Sequence, residues 1–211
     1  NDYYRGKCYY KKMIDAGDMS GEELWLQLDG VNSSAEVIFD GKSIIKHDGG
    51  YSTFRVKLPK KSGELVVTAD NSPNDRVYPQ QADFTFYGGI YRDVKLIAVD
   101  SVHFDLSYYG APGIMVTPTV KGNSAEVEMK AFHAADNAQT KFEIIDEKGV
   151  IATETVQGKN PVSCVNLDNP HLWNGTLDPY LYTLKATLLV DGEAVDEIST
   201  RFGIRSFEFN P

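Results

Sequence analysis

Cysteine is scarce in this chain: Cys8 and Cys164 are the only two among 211 residues. Two cysteines so far apart, falling in different domains, build no disulfide framework. They read as buried free thiols. Histidine is also sparse, at four scattered positions, and gives no metal-ligand spacing. No apolar run nears the roughly 18 residues of a membrane-spanning helix. Basic residues form no block: Lys11-Lys12 and Lys60-Lys61 are isolated pairs, and the net charge is −9. Nucleic acid and anionic membrane both require a basic surface, so neither fits as a partner. The Gly-rich phosphate loops, Gly-x-Ser-x-Gly and His-Glu-x-x-His are missing as well. No signal peptide is legible. The abrupt start at Asn1-Asp2-Tyr3-Tyr4 reads as the edge of a cut-out piece, so localisation stays unassigned.

What the chain does have is period-2 alternation. Leu24-Trp25-Leu26-Gln27-Leu28 alternates as a half-buried strand does. Ala35–Phe39 meets Asp40-Gly41, then Lys42–Ile45; Leu188–Val190 meets Asp191-Gly192, then Glu193–Val195. Asp-Gly between two such runs predicts a tight hairpin, because glycine takes positive φ without steric cost. Glu147-Lys148-Gly149 predicts a third turn. The best boundary lies near Asp100-Ser101, with Val102–Leu106 opening a new series. Beyond it, strands are predicted near 113–120, 124–133, 140–146, 150–157, 162–167, 180–190 and 195–209, the number an immunoglobulin-like sandwich needs. The first part has fewer strands than a complete eight-stranded jelly roll. The expectation is therefore an all-β chain of two antiparallel β-sandwich domains: a truncated jelly roll over residues 1–100, its first strands upstream of Asn1, and an immunoglobulin-like domain over 101–211.

The most unusual segment is Asp83-Phe84-Thr85-Phe86-Tyr87-Gly88-Gly89-Ile90-Tyr91-Arg92-Asp93-Val94. Aromatic faces stack on the C–H faces of sugar rings, while hydroxyls need charged or polar partners. Phe84, Phe86 and Tyr87 are expected to bury Asp83 in part, and a buried acid needs a partner or a role. An ion pair with Arg92 or Arg76, or a loop cap, fits the residues as well as sugar contact does. Tyr3, Tyr4, Tyr9 and Tyr10 read as a strand packing one face, and Gly49–Phe54 as a glycine turn with core aromatics. Asn32-Ser33-Ser34 and Asn174-Gly175-Thr176 match the glycosylation triplet, a pattern short enough to occur by chance.

Several of these motifs together resemble glycoside hydrolase family 2, which includes β-galactosidases, β-glucuronidases and β-mannosidases. Asp83–Val94 is similar to the signature near the end of that family's N-terminal sugar-binding domain. Asp2-Tyr3-Tyr4-Arg5-Gly6 resembles its early Tyr-Arg strand, and His47-Asp48-Gly49-Gly50-Tyr51-Ser52-Thr53-Phe54 its His-x-Gly-Gly-Tyr block. Leu172-Trp173-Asn174, Pro179–Tyr182 and Arg201–Phe209 resemble the end of its immunoglobulin-like domain. The resemblance implies a retaining exo-β-glycosidase, with Gly88–Val94 leaning towards a β-galactosidase. It implies that the catalytic (β/α)₈ barrel and its two glutamates lie beyond Pro211, so these residues hold no catalytic group and are inactive alone. Asp83 is the one implied substrate-binding residue, reaching a β-galactoside-type sugar in the parent enzyme, and Arg92-Asp93 anchors the loop. No metal or cofactor is implied for these residues. The rival reading, from another class, is a free-standing carbohydrate-binding module.

Overall fold

The computed structural model describes residues 4–78, 83 and 85–209. Among these residues there is no helix, and every strand pairing is antiparallel. The chain divides into two compact units between Ser101 and Val102.

The first unit contains β1 (Lys7–Asp15), β2 (Glu23–Leu28), β3 (Val31–Asn32), β4 (Ser34–Phe39), β5 (Lys42–Asp48), β6 (Phe54–Lys57), β7 (Ser62–Asp70), β8 (Gly89–Ile90) and β9 (Val94–Val99). They form a sheet ordered β1-β7-β4-β5, a second ordered β6-β2-β9, and the short pair β3-β8. Leu24, Leu26 and Leu28 of β2 and Phe54 of β6 share a core with Ala35, Val37 and Phe39 of β4 and Leu65, Val67 and Ala69 of β7. Burying a large apolar side chain of this kind contributes about 1.5–3 kcal/mol. The β4–β5 hairpin turns at Asp40 (φ 46°) and Gly41 (φ 79°), as its Asp-Gly pair predicts.

Beyond β7 the core receives only Ile14 from β1. Cross-strand partners share a sheet face, and Lys12, Tyr10 and Cys8 of β1 lie opposite Leu65, Val67 and Ala69. The β7 residues are buried, yet their three partners are exposed, as are Tyr9 and Met13 on the other face of β1. Two expectations are corrected here. Tyr4, Tyr9 and Tyr10 do not pack a core face (Tyr3 lies outside the described residues). Cys8 and Cys164 are free but exposed rather than buried, because Cys8 sits on this uncovered strand and Cys164 on an outward position of a strand in the second unit.

That unit contains β10 (Ile114–Lys121), β11 (Ser124–Ala131), β12 (Gln139–Asp146), β13 (Gly149–Gln157), β14 (Val162–Asp168), β15 (Tyr182–Val190) and β16 (Glu193–Phe202). A three-stranded sheet, β10-β11-β14, and a four-stranded sheet, β13-β12-β15-β16, enclose one core. Val127 and Met129 come from the first sheet; Phe142, Ile144, Leu184 and Leu188 come from the second. Seven strands split three and four make an immunoglobulin-like sandwich. Asp191 (φ 52°) and Gly192 (φ 84°) turn the β15–β16 hairpin. Pro118 sits in β10, an edge strand of its sheet, where a missing N–H is tolerated.

Two boundaries differ from expectation. Val102–Leu106 is not a strand: Phe104 is buried in the core, but its N–H donates to the Asp196 carboxylate (2.8 Å) and the Asp105 N–H to the Phe132 carbonyl (2.7 Å). The segment is tied down by single bonds rather than a ladder. β16 stops at Phe202, and the chain from 203 to 209 leaves the sheet.

Candidate functional site

Gly88–Asp93 is held to four other segments of the first unit. β8 pairs with β3, setting Ile90 opposite Val31 and Gly89 opposite Asn32. The Asn32 Nδ2 donates to the Tyr87 carbonyl at 2.5 Å. The Tyr91 hydroxyl donates to the Gly50 carbonyl, and its ring meets Tyr51 edge-on, centroids 6.5 Å apart. The Arg92 Nη1 donates to the carbonyls of Tyr51 (3.0 Å) and Asp29 (3.4 Å), and its guanidinium lies over the Tyr91 ring. The Ile90 N–H donates to the Tyr10 hydroxyl at 3.4 Å. Arg92 thus binds backbone oxygens on two loops, an anchoring arrangement. Asp93 is exposed, its carboxylate 3.4 Å from Lys95 Nζ, and its carbonyl accepts from the Asp29 N–H at 3.0 Å.

Glycine is required where these segments approach closely. A Cβ on Gly50 would strike the Asn32 amide, one on Gly30 would come within 2.9 Å of the Tyr91 ring, and one on Gly88 within 2.7 Å of the Asn71 side chain. Asn71 is itself buried and committed, since its Oδ1 accepts from the Gly6 N–H at 2.8 Å and its carbonyl from Arg5 Nε at 3.0 Å. With a committed neighbour, Gly88→Ala forces backbone to move. Overpacking of this kind costs about 1–3 kcal/mol. We expect Gly88→Ala to lower the first unit's unfolding midpoint in urea, followed by Trp25 fluorescence, with the second unit unaffected.

The block 47–54 lines the same edge. The His47 ring stacks on Phe54, centroids 4.2 Å apart, and its Nε2 lies 3.2 Å from the Ser52 hydroxyl. Burial lowers the His47 pKa, so the ring is neutral at pH 7. The Asp48 carboxylate takes a hydrogen bond from Arg76 Nε (2.8 Å) and from the Ser34 hydroxyl (2.6 Å), which hold its pKa below the ordinary carboxylate value. Arg76 is therefore engaged with Asp48. The Lys95 ammonium, at 2.7 Å, does the same for Asp29. These ion pairs brace the loop bases; among the described residues they leave no carboxylate pair poised for acid–base work in this cluster.

Asp83, the one sequence-derived binding residue, is exposed in a bend. The expectation that Phe86 and Tyr87 bury it in part is overturned: Tyr87 is itself 75% exposed. Phe84 lies outside the described residues. An exposed carboxylate five residues ahead of a braced turn is a group presented outward rather than one satisfied within the fold.

Sequence reasoning missed Asn32 and Asn71. Asn32 carries the glycosylation triplet, yet it is buried and donates inward. Among the described residues no group of three or more His, Cys, Asp or Glu is placed to hold a metal ion.

Comparison with known proteins adds the following. Residues 112–205 match the family model described as Glycosyl hydrolases family 2. A β-glucuronidase from Bacteroides fragilis is 32% identical over 228 residues, covering 100% of this chain and 33% of the relative. A β-galactosidase from Thermoanaerobacter pseudethanolicus is 26% identical over 223 residues, covering 98% and 29%. The crystal structure of an FMN-binding β-glucuronidase from Faecalibacterium prausnitzii L2-6 superposes with a TM-score of 0.87 at 33% identity, covering 97% of this chain and 33% of that one. The chain spans about a third of the length of these relatives.

Proposed function

Because this chain belongs to glycosyl hydrolases family 2, we propose that its two sandwich units are the noncatalytic N-terminal part of a retaining exo-β-glycosidase. In this reading Asp83 completes a sugar pocket whose catalytic carboxylates lie in the remaining two thirds of the parent protein. The observation that carries it is the bracing of Gly88–Asp93 by Asn32, Gly50, Tyr51 and Asp29. That bracing fixes the base of a loop from which an exposed carboxylate projects. Carboxylate oxygens accept hydrogen bonds from sugar hydroxyls, and charge-assisted bonds are the stronger kind. Retention would follow from two catalytic carboxyl groups about 5–5.5 Å apart in the parent.

Two sugars have support. The relatives at 32–33% identity are named β-glucuronidases, which favours a β-glucuronide. The run Gly88-Gly89-Ile90-Tyr91-Arg92-Asp93-Val94, together with a β-galactosidase relative, favours a β-galactoside. Assaying the full parent enzyme on p-nitrophenyl β-glucuronide and β-galactoside decides between them, and following the released anomer by NMR tests retention. Turnover of neither substrate, or release of the α-anomer first, overturns the proposal. The 211-residue chain alone is expected to hydrolyse neither. Titration calorimetry with galactose, lactose and glucuronate separates it from a free-standing binding module: millimolar or tighter binding that Asp83→Ala abolishes supports the module instead.

A further inference from the structure

His133 lies in the connection between β11 and β12 and is 3% exposed. Its Nε2 is 3.1 Å from the hydroxyl of Thr140, itself fully buried on β12. Its Nδ1 is buried with no charged or side-chain partner, and the Ala135 backbone is the one group that favours its protonated form. The ring meets Phe104 edge-on at 6.3 Å, and the His133 N–H donates to Asn160 Oδ1 at 2.9 Å. The imidazole therefore touches the incoming segment and the start of β12, while the backbone N–H of the same residue holds the β13–β14 connection. We infer that His133 is an acid-sensitive latch, which fastens the β11–β12 connection over the second unit's core while neutral and releases it when protonated.

A neutral imidazole needs one donor and one acceptor partner; an imidazolium needs two acceptors and, when buried, a counter-charge. The titratable groups on the surrounding elements supply none. Asp196 is bound to the Phe104 N–H, Asp105 to Ser107. His103 bonds the Phe104 carbonyl. Glu128 and Glu143 are paired with Lys130 and Lys141. Asp136 and Lys159 lie on the two connecting loops. No charge among them acts on His133: burial lowers its pKa, opposed only by the Ala135 backbone carbonyl.

The sign follows. The unfolded chain takes up a proton near pH 6.5, while the folded ring resists it until a lower pH. The latch therefore stabilises fully above about pH 6.5, and that contribution is lost as pH falls towards the folded value.

The test is urea unfolding of the Trp25→Phe chain, in which Trp173 alone reports the second unit, between pH 7.5 and 5. In the parent background the unfolding constant should rise by up to about tenfold per pH unit below 6.5. In His133→Gln and His133→Phe that rise should shrink by up to the same factor, while Thr140→Val, which keeps the imidazole, should retain it. Should the His133 variants not fold, the His133 ring resonance in the unsubstituted chain must titrate below pH 6.5. An identical pH dependence in the His133 variants, or a ring titrating at 6.5 or above, overturns the inference.

Discussion

Phe142→Ala is expected to destabilise the second unit strongly while leaving the first intact. Phe142 is fully buried on β12, a central strand flanked by β13 and β15, and packs in the core shared by both sheets. Removing a buried phenyl ring costs about 3–5 kcal/mol, from lost transfer energy and the cavity left behind. A domain of this size has about 5–15 kcal/mol in all. The melting transition should therefore fall by about 15–30 °C. Each unit contains one tryptophan, Trp25 and Trp173, so the two transitions can be followed separately. The two cores share no residue, and a matching drop in the Trp25 transition would contradict the division at Ser101.

The second unit is also where the sequence was most legible. Six of its seven strands fall within about two residues of the predicted ranges, because alternation such as Val127, Met129, Ala131 against Glu126, Glu128, Lys130 is period 2 and unbroken. Legibility failed where burial is not carried by a ladder, as at Val102–Leu106. In the first unit, Ser62–Asp70 gives no alternating signal, since Leu65, Val66 and Val67 are consecutive and Gly63 interrupts its start. Aromatic content misled for Tyr4 and for Tyr9 and Tyr10 of β1: tyrosines at this density predict a packed face, but packing depends on what lies opposite, which a local pattern does not encode. The anchoring role of Arg92 agrees with the structure. Asn32 and Asn71 were illegible because their contacts span 55 and 65 residues.

Asp83→Ala in the full parent enzyme should lower kcat/KM by about 10²–10³-fold, if the proposed sugar contact holds. Two hydroxyls bonded to one carboxylate are worth about 1.5–3 kcal/mol each before losses, so about 3–4 kcal/mol is expected. The same substitution should shift the melting midpoint little, since an exposed side chain changes stability by about 0.5 kcal/mol or less. Asp83→Asn, which keeps one acceptor oxygen, should fall between. Steady-state kinetics with a melting curve on each variant checks this. A loss under threefold for Asp83→Ala, with the fold intact, removes Asp83 from the site.

The exposed strand β1 bears on solubility. Among the described residues it ends its sheet, and from Lys7 to Met13 every side chain is exposed. Where no other strand covers it, an edge carrying Tyr9, Tyr10 and Met13 is a template for a strand from a neighbouring molecule. Lys7, Lys11 and Lys12 flank these groups, and a second identical strand laid alongside in parallel register would bring ammonium groups together. The lysines thus act as gatekeepers against edge-to-edge growth. Within the sheet they are also attracted, Lys11 to Glu64 on the paired strand and Lys7 to Glu36 and Asp70; their removal would leave the edge open to aggregation.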